Sequence, residues 1–108
     1  MAVIWEAIDR LGRPVVLTEA GWAHILDRHK DMVPHLLSIR DAISHADEVT
    51  VDAVYSRRNV HYLRSTPTTI AIRVAVNYKP AEPSGWAGEI ITALRSERKK
   101  QGERRLWL

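Results

Sequence analysis

Two histidines and an arginine lie close together in residues 22–29, which read Trp-Ala-His-Ile-Leu-Asp-Arg-His. Imidazole changes its charge near neutral pH, so His24 and His29 are candidates for moving protons. The guanidinium of Arg28 is suited to holding an anion such as a phosphate. Groups of these types can cleave a phosphodiester without a metal, and this segment is a candidate for that chemistry.

A helix that begins after Thr18 as its N-cap and runs to about His29 would position these groups. At about 100° per residue, His29 shares the apolar face with Trp22, whereas His24 and Arg28 lie on nearly the opposite face. Another interpretation stays open. His29 would then be a core histidine bonded to a backbone carbonyl, and His24 and Arg28 would be a surface pair.

The remaining pattern predicts a second helix followed by strands. Apolar residues at spacings of three and four favour a helix from about residue 31 to 45, and alternation favours strands over 49–54, 60–64, 69–78 and 89–94. Residues 79–88, rich in Pro and Gly, are typical of a loop. The apolar segments 3–5 and 15–17 form a hairpin or lead into the first helix. The order predicts an α+β domain with two N-terminal helices packed on a four-stranded antiparallel sheet.

The predicted strands carry a second set of polar side chains. Tyr62 and Arg64 share one face of their strand, Arg73 lies opposite the aliphatic residues of the strongest strand, and Thr92 interrupts an apolar run. If the helices pack over these side chains, His29 meets them in one cleft. A metal-independent ribonuclease needs a base, an acid and cationic donors, and this set contains them. The alternative is a half-polar sheet face in solvent, since threonine is common in strands.

Other chemistries have little support in the sequence. His24 and His29 are five residues apart and no His-Glu-x-x-His motif is present, so we expect no catalytic metal. The chain has no cysteine, no Gly-x-Ser-x-Gly turn and no glycine-rich phosphate loop. We therefore expect no cofactor.

The charge is distributed unevenly along the chain. Residues 1–56 hold five Lys or Arg against nine Asp or Glu, whereas residues 57–108 hold eleven against four. A basic half favours a polyanionic partner, and a solvated surface with a cationic tail is the alternative. The basic residues that we expect to contact RNA are Arg57, Arg58, Arg98, Lys99 and Lys100.

Length and hydropathy predict one domain over residues 1–108 with a basic tail from about residue 95. Glu6, Asp9 and Arg10 interrupt the apolar N-terminal residues, which is unlike a signal peptide. No run approaches the roughly 20 apolar residues of a membrane span. We expect a cytoplasmic protein without a membrane partner, or a domain delivered within a larger effector.

Together these motifs resemble the BECR superfamily of small metal-independent nucleases, which groups barnase, EndoU, colicin-type tRNases and RelE toxins. The phage-associated branch, called PBECR, is the most similar. The resemblance covers roughly residues 15–95. It rests on a His-x-x-x-Arg-His helix, an aromatic-basic strand and a closing Ile-x-Thr-Ala strand, which here are His24 to Arg28-His29, Tyr62-Leu63-Arg64 and Ile90-Ile91-Thr92-Ala93.

The resemblance implies a bacterial or phage endoribonuclease, of the kind found as toxins, that forms a 2′,3′-cyclic phosphate by attack of the 2′-hydroxyl. It implies His29 as general base or acid, Arg28 and Arg64 as phosphate contacts, and Thr92 as a donor to the charged oxygen. Tyr62 joins these catalytic candidates, and His24 and Arg73 are supporting ones.

The partners expected of such a protein are RNA and an antitoxin or immunity protein. Two other functions stay open. One is a non-catalytic nucleic-acid-binding or regulatory module, which needs only the basic half. The other is a protein-interaction domain of a toxin–antitoxin pair.

Overall fold

The fold is a mixed β-sheet with two α-helices on one face, in a computed structural model that describes residues 2–66, 69–80, 85–96 and 102–107. The helical segments are α1 (Glu19–Arg28), a 3₁₀ helix (Lys30–His35) and α2 (Leu36–Ser44). The strands in the described residues are β1 (Val3–Ile8), β2 (Pro14–Thr18), β3 (Glu48–Val51), β4 (Arg58–Thr66), β5 (Thr69–Pro80), β6 (Trp86–Arg95) and β7 (Arg104–Trp107).

The sheet differs from the one predicted. Its order is β1-β2-β6-β5-β4-β3-β7, and β2 pairs with β6 in parallel through Val15–Gly88 and Val16–Glu89. The α+β class is right, but the four-stranded antiparallel sheet is wrong, and the helices follow two strands instead of opening the chain. The error arises because β2 and β6 lie near opposite ends of the sequence, and local periodicity does not report such a pairing.

The N-terminal segments form a hairpin, one of the two arrangements left open by the sequence. Asp9 organises its turn, since Oδ1 of its carboxylate accepts hydrogen bonds of 2.9 Å from the backbone N–H groups of Leu11 and Arg13. Gly12 follows with φ of +83°, a left-handed conformation that glycine adopts without steric cost. The short side chain of Asp9 therefore fixes how β1 returns as β2.

The first helix begins as predicted, with the Thr18 hydroxyl accepting from the backbone N–H of Gly21 over 3.0 Å. The predicted second helix is divided into the 3₁₀ helix and α2. Pro34 lies inside the 3₁₀ helix, where it donates no backbone hydrogen bond and disfavours α geometry in the preceding residue. Among the described residues, no helix is long and apolar enough to cross a membrane.

Strand boundaries also move relative to the sequence-based prediction. The strand predicted for 49–54 ends at Val51, because the Asp52 carboxylate accepts from the backbone N–H groups of Val54 and Tyr55 and starts a turn. The predicted loop 79–88 is shorter, since β5 continues to Pro80 and β6 begins at Trp86. Part of the predicted tail is the strand β7, which pairs antiparallel with β3.

Alternation along β5 gives the sheet two different faces. On the helix face, Ile72, Val74 and Val76 pack in one buried cluster with residues of both α-helices and of the 3₁₀ helix, which are Ile25, Met32, Ile39, Ala42 and Ile43. Arg73 alternates with them and therefore lies on the other side of the sheet, which we call the polar face.

One glycine of β6 is required by close packing on the helix face. A Cβ atom at Gly88 would lie 2.5 Å from Cγ1 of Val76 and 2.8 Å from Cε1 of Tyr78. No side chain fits there without displacing the neighbouring strand. The Tyr78 ring consequently lies directly against the β6 backbone, and this contact fixes its position.

Packing of α2 on the helix face predicts unequal effects of two substitutions on one helix. Ile39 has an exposed fraction of 0% and Leu37 has 71%. We expect Ile39→Ala to lower the free energy of unfolding by about 2–5 kcal/mol, since it leaves a cavity in the core. Leu37→Ala should change it by roughly 0.5 kcal/mol or less. Urea denaturation followed by circular dichroism measures both, and equal losses would contradict the described docking of α2.

Candidate functional site

A cluster on the polar face joins three strands to the C-terminal segment, and we call it the Glu103 cluster (Thr50, Tyr62, Arg73 and Glu103). Nη2 of Arg73 donates to Oε2 of Glu103 over 2.7 Å, and the Thr50 hydroxyl donates to Oε1 over 2.7 Å. The Tyr62 hydroxyl donates to the same Oε1. Side-chain exposure is 12% for Arg73 and 1% for Glu103, so this ion pair lies largely out of solvent.

The partners of Arg73 keep its guanidinium protonated. Burial lowers the pKa of Arg73, but the hydrogen bonds to Glu103 and Tyr62 outweigh burial and raise the pKa above its ordinary value. The sheet register contributes to this geometry, because Tyr62 lies directly opposite Arg73 and Nε of Arg73 is 3.3 Å from the Tyr62 hydroxyl oxygen. The cluster therefore holds a charged guanidinium, paired with the Glu103 carboxylate, at a fixed position on the sheet.

A second ion pair lies beside this cluster. Nη2 of Arg64 donates to Oε1 of the buried Glu48 over 2.7 Å, and Nε of Arg105 is 3.9 Å from Oε2 of the same carboxylate. Glu48 is paired with Tyr62 across the strands, which places both on the polar face. Thr92 lies opposite Ala75 and is half-buried on this face too. The polar face thus brings together Tyr62, Arg64, Arg73 and Thr92 of the residues predicted from the sequence.

The histidines of the first helix lie on the other side of the sheet. His24 and Arg28 are exposed on α1, and half-buried His29 ends that helix, its backbone N–H donating to the Ile25 carbonyl over 2.7 Å. Since α1 packs on the helix face, the sheet separates His29 from Tyr62 and Thr92. The structure does not bring the predicted catalytic set into one cleft, and the roles given to its members stay predictions.

The predicted RNA contacts are only partly within the described residues. The Arg57 guanidinium lies 5.5 Å from the centre of the Trp86 ring, and that of Arg58 lies 4.3 Å from the centre of the Tyr55 ring. Arg58 also donates to Oδ1 of Asn77 over 3.1 Å. Arg98, Lys99 and Lys100 fall outside the described residues.

A cleft of about 490 Å³ opens between the helical layer and the ends of β4, β5 and β6. Its polar lining consists of one imidazole, one guanidinium and three hydroxyls, from His35, Arg95, Ser38, Ser65 and Ser96. We call it the His35 cleft. Its apolar walls include Leu63 and Ile72, and the latter is paired with Arg95 across the strands.

The sequence did not single out the residues of the His35 cleft. His35 ends the 3₁₀ helix and Arg95 ends β6, so they lie far apart in the chain and share no motif. Spacing connects only His35 and Ser38, which are three residues apart and therefore neighbours on a helical surface. The sequence places Arg95 in the basic tail. Its position in the cleft depends on the pairing of β6 with β5, which local patterns do not report.

The helix face also buries a polar relay through Tyr78. Nε2 of His61 lies 2.8 Å from the Tyr78 hydroxyl oxygen, and that hydroxyl donates to Oδ2 of Asp9 over 2.7 Å. Because the single hydroxyl proton goes to Asp9, His61 must carry its proton on Nε2. Arg13 completes the relay with Nε 2.8 Å from Oδ2 of Asp9 and its guanidinium 3.8 Å from the centre of the Tyr78 ring.

Burial sets the protonation states of this relay. It lowers the pKa of His61 to about 4, against a smaller opposite effect of Asp9, so the imidazole is neutral at pH 7. Burial and the hydrogen bond to Asp9 raise the pKa of Tyr78 well above its usual range. For Asp9, burial raises the pKa, but hydrogen bonds from Arg13 and Tyr78 and the charge of Arg13 outweigh it and lower the pKa. The relay therefore ties the β1–β2 turn to β4 and β5.

Comparison with models of known protein families, with curated proteins and with solved structures gave no match to this chain. The resemblance to BECR nucleases accordingly stays a prediction from the motifs.

The relay predicts that acid destabilises the fold through His61. The unfolded imidazole binds a proton below about pH 6.5, whereas the folded one does so only near pH 4. In this window the unfolded state holds more protons, so stability rises with pH and falls by about 3 kcal/mol from pH 6.5 to 4. We expect His61→Gln, which retains an N–H donor but does not titrate, to lose most of this dependence.

The pH dependence is measured by urea denaturation between pH 4 and 7. The matched control is His45→Gln, since His45 is exposed at the end of α2, and this variant should keep the wild-type dependence. An unchanged pH dependence in His61→Gln would contradict the protonation states described for the relay.

Proposed function

We propose that the protein is a metal-independent endoribonuclease whose chemistry takes place in the His35 cleft. The observation that carries this proposal is that the cleft combines an imidazole, a guanidinium and serine hydroxyls within about 490 Å³. These are the group types that the sequence supplies for phosphodiester cleavage, gathered here around His35 instead of His29. A cavity of this size lies within the roughly 300–1,000 Å³ typical of ligand-binding pockets.

In this proposal His35 moves the proton and Arg95 holds the phosphate. The imidazole takes the proton of the 2′-hydroxyl, and the 2′-oxygen attacks phosphorus. The bond from phosphorus to the 5′-oxygen breaks, and His35 returns the proton to that oxygen. The products are a 2′,3′-cyclic phosphate and a 5′-hydroxyl, with all atoms accounted for.

Arg95 and the hydroxyls would stabilise the charge that develops on the phosphate. A guanidinium donates two parallel hydrogen bonds to phosphate oxygens, and Arg95 is exposed at the end of β6, where a strand of RNA can reach it. Ser38 lines the cleft with His35, and its hydroxyl would donate to a non-bridging oxygen. Apolar Leu63 and Ile72 form a surface against which a base or ribose can pack.

A neighbouring cavity extends this cleft toward the polar face. It has a volume of about 320 Å³ and is lined by Asp47, Arg64, Ser65 and Thr66. Ser65 lines both cavities, so they adjoin at the end of β4. Arg64, a phosphate contact in the sequence-based prediction, would bind the RNA backbone beyond the cleaved bond. The resemblance to BECR nucleases, which cleave RNA without a metal, supports the same activity.

The proposal predicts that His35→Ala lowers the rate of RNA cleavage by about 10²–10⁴-fold, as is typical when a general acid–base group is removed. The measurement is release of a 2′,3′-cyclic phosphate from a labelled RNA, with circular dichroism as the check on folding. The control is His45→Ala, which removes an exposed imidazole at the end of α2 and should leave the rate unchanged.

His29→Ala separates this proposal from the sequence-based assignment. Loss of cleavage in His29→Ala with full activity in His35→Ala would return the proton transfer to His29 and contradict the site proposed here. Salt-dependent RNA binding by the wild-type protein without any product would instead favour the non-catalytic nucleic-acid-binding module.

A further inference from the structure

The three donors of the Glu103 cluster belong to the sheet, whereas their acceptor does not. Thr50, Tyr62 and Arg73 lie on β3, β4 and β5, and the antiparallel register sets their spacing. Glu103 comes from the segment that leads into β7. The donors are therefore positioned by central strands, and the carboxylate is brought to them by the C-terminal part of the chain.

These donors fit a phosphate as well as they fit a carboxylate. Arg73 offers a planar guanidinium, and Thr50 and Tyr62 offer hydroxyls that here both donate to Oε1 of Glu103. A phosphodiester presents two non-bridging oxygens and one negative charge, as a carboxylate does. Glu103 thus occupies a position with the chemistry of a phosphate site. Removing its side chain would leave the guanidinium of Arg73 without its carboxylate partner, which is unfavourable in a site so little exposed.

The segment that carries Glu103 leads into the edge of the sheet, whereas the three donors lie on strands with neighbours on both sides. Within the described residues, β7 has four residues, lies at the edge of the sheet and pairs with β3. The side chains of Arg104, Arg105 and Leu106 are exposed. Short strands at the edge of a sheet open at lower free-energy cost than its central strands. Displacement of Glu103 would therefore require opening of β7 and loss of three hydrogen bonds, but no separation of the central strands.

The surroundings of the site favour a nucleic-acid backbone as the competing anion. Arg64 lies beside the Glu103 cluster, because its partner Glu48 is paired across the strands with Tyr62. Arg64 also lines the cavity that shares Ser65 with the His35 cleft. A strand of RNA that leaves that cleft would pass Arg64 on its way to Arg73.

We propose that Thr50, Tyr62 and Arg73 form a binding site for a backbone phosphate of single-stranded RNA, and that Glu103 occupies this site until RNA displaces it. The choice of RNA as ligand rests on the proposed function, but the site itself needs only binding and no cleavage. The C-terminal segment thereby competes with the ligand and weakens its binding.

The test measures binding of a 2′-O-methyl oligouridine, which lacks the 2′-hydroxyl needed for cleavage, by fluorescence anisotropy with the full chain. Glu103→Ala and Glu103→Gln should bind it about tenfold more tightly than the wild type, because alanine leaves the site vacant and glutamine lacks the charge that pairs with Arg73. The control is Glu89→Ala, which removes an exposed carboxylate from β6 and should change affinity by about twofold or less.

A second substitution identifies the site. Adding Arg73→Gln to Glu103→Ala should abolish the gain in affinity, and a gain that persists in the double variant would overturn the proposal. Equal affinities for the wild type and both Glu103 variants would overturn it too. If circular dichroism shows that both variants are unfolded, Glu103 is required for the sheet to fold. That result would also overturn the proposal.

The wild-type protein provides an independent measurement. Saturation with the oligouridine should increase hydrogen exchange at the backbone amides of β7, since the ligand displaces the segment. Unchanged or slower exchange there would contradict the competition. The oligouridine cannot be cleaved, so these measurements report binding alone. They can support this inference even if the protein proves to have no cleavage activity.

Discussion

The two-residue period of β5 is the constraint on which the rest of the structure depends. This strand pairs with β4 on one side and β6 on the other, so its alternation is imposed on both neighbours through the register. Apolar Ile72, Val74 and Val76 require a covering layer, and the helices supply it. Arg73 is forced to the opposite face, where Tyr62 is its direct neighbour. One strand thus decides both where the helices pack and where cationic groups collect.

Local patterns in the sequence predicted the elements that local chemistry determines. Thr18 as N-cap and the alternation of β5 depend on neighbouring residues alone, and both were correctly assigned. Pro34 changed the geometry of its own turn, which helical periodicity does not register. The parallel pairing of β2 with β6 and the return of β7 onto β3 depend on partners far along the chain. No spacing of apolar residues reports such partners, and the sheet was therefore predicted too small.

The same distinction between local patterns and distant partners explains which residues of the candidate site the sequence predicted. Alternation correctly grouped Tyr62 with Arg64 and set Arg73 against the aliphatic face. It did not show on which face the helices would lie, and that choice separates His29 from the polar face. His35 and Arg95 line one cleft because the 3₁₀ helix packs on β6, and that packing depends on a strand order that periodicity does not report. In the sequence Asp9 is only a charge near the N-terminus. In the fold its carboxylate connects Tyr78 to the first turn.

The parallel pairing of β2 with β6 also has a consequence for synthesis of the protein. A two-stranded hairpin such as β1–β2 is marginally stable alone in water. Its neighbour in the sheet, β6, spans Trp86–Arg95. The hairpin therefore has no strand to pair with until most of the described chain has left the ribosome. Contacts this distant in sequence slow folding, because the chain between them must be ordered before they form. During translation the helices and their apolar side chains therefore precede the strand that completes the sheet beneath them.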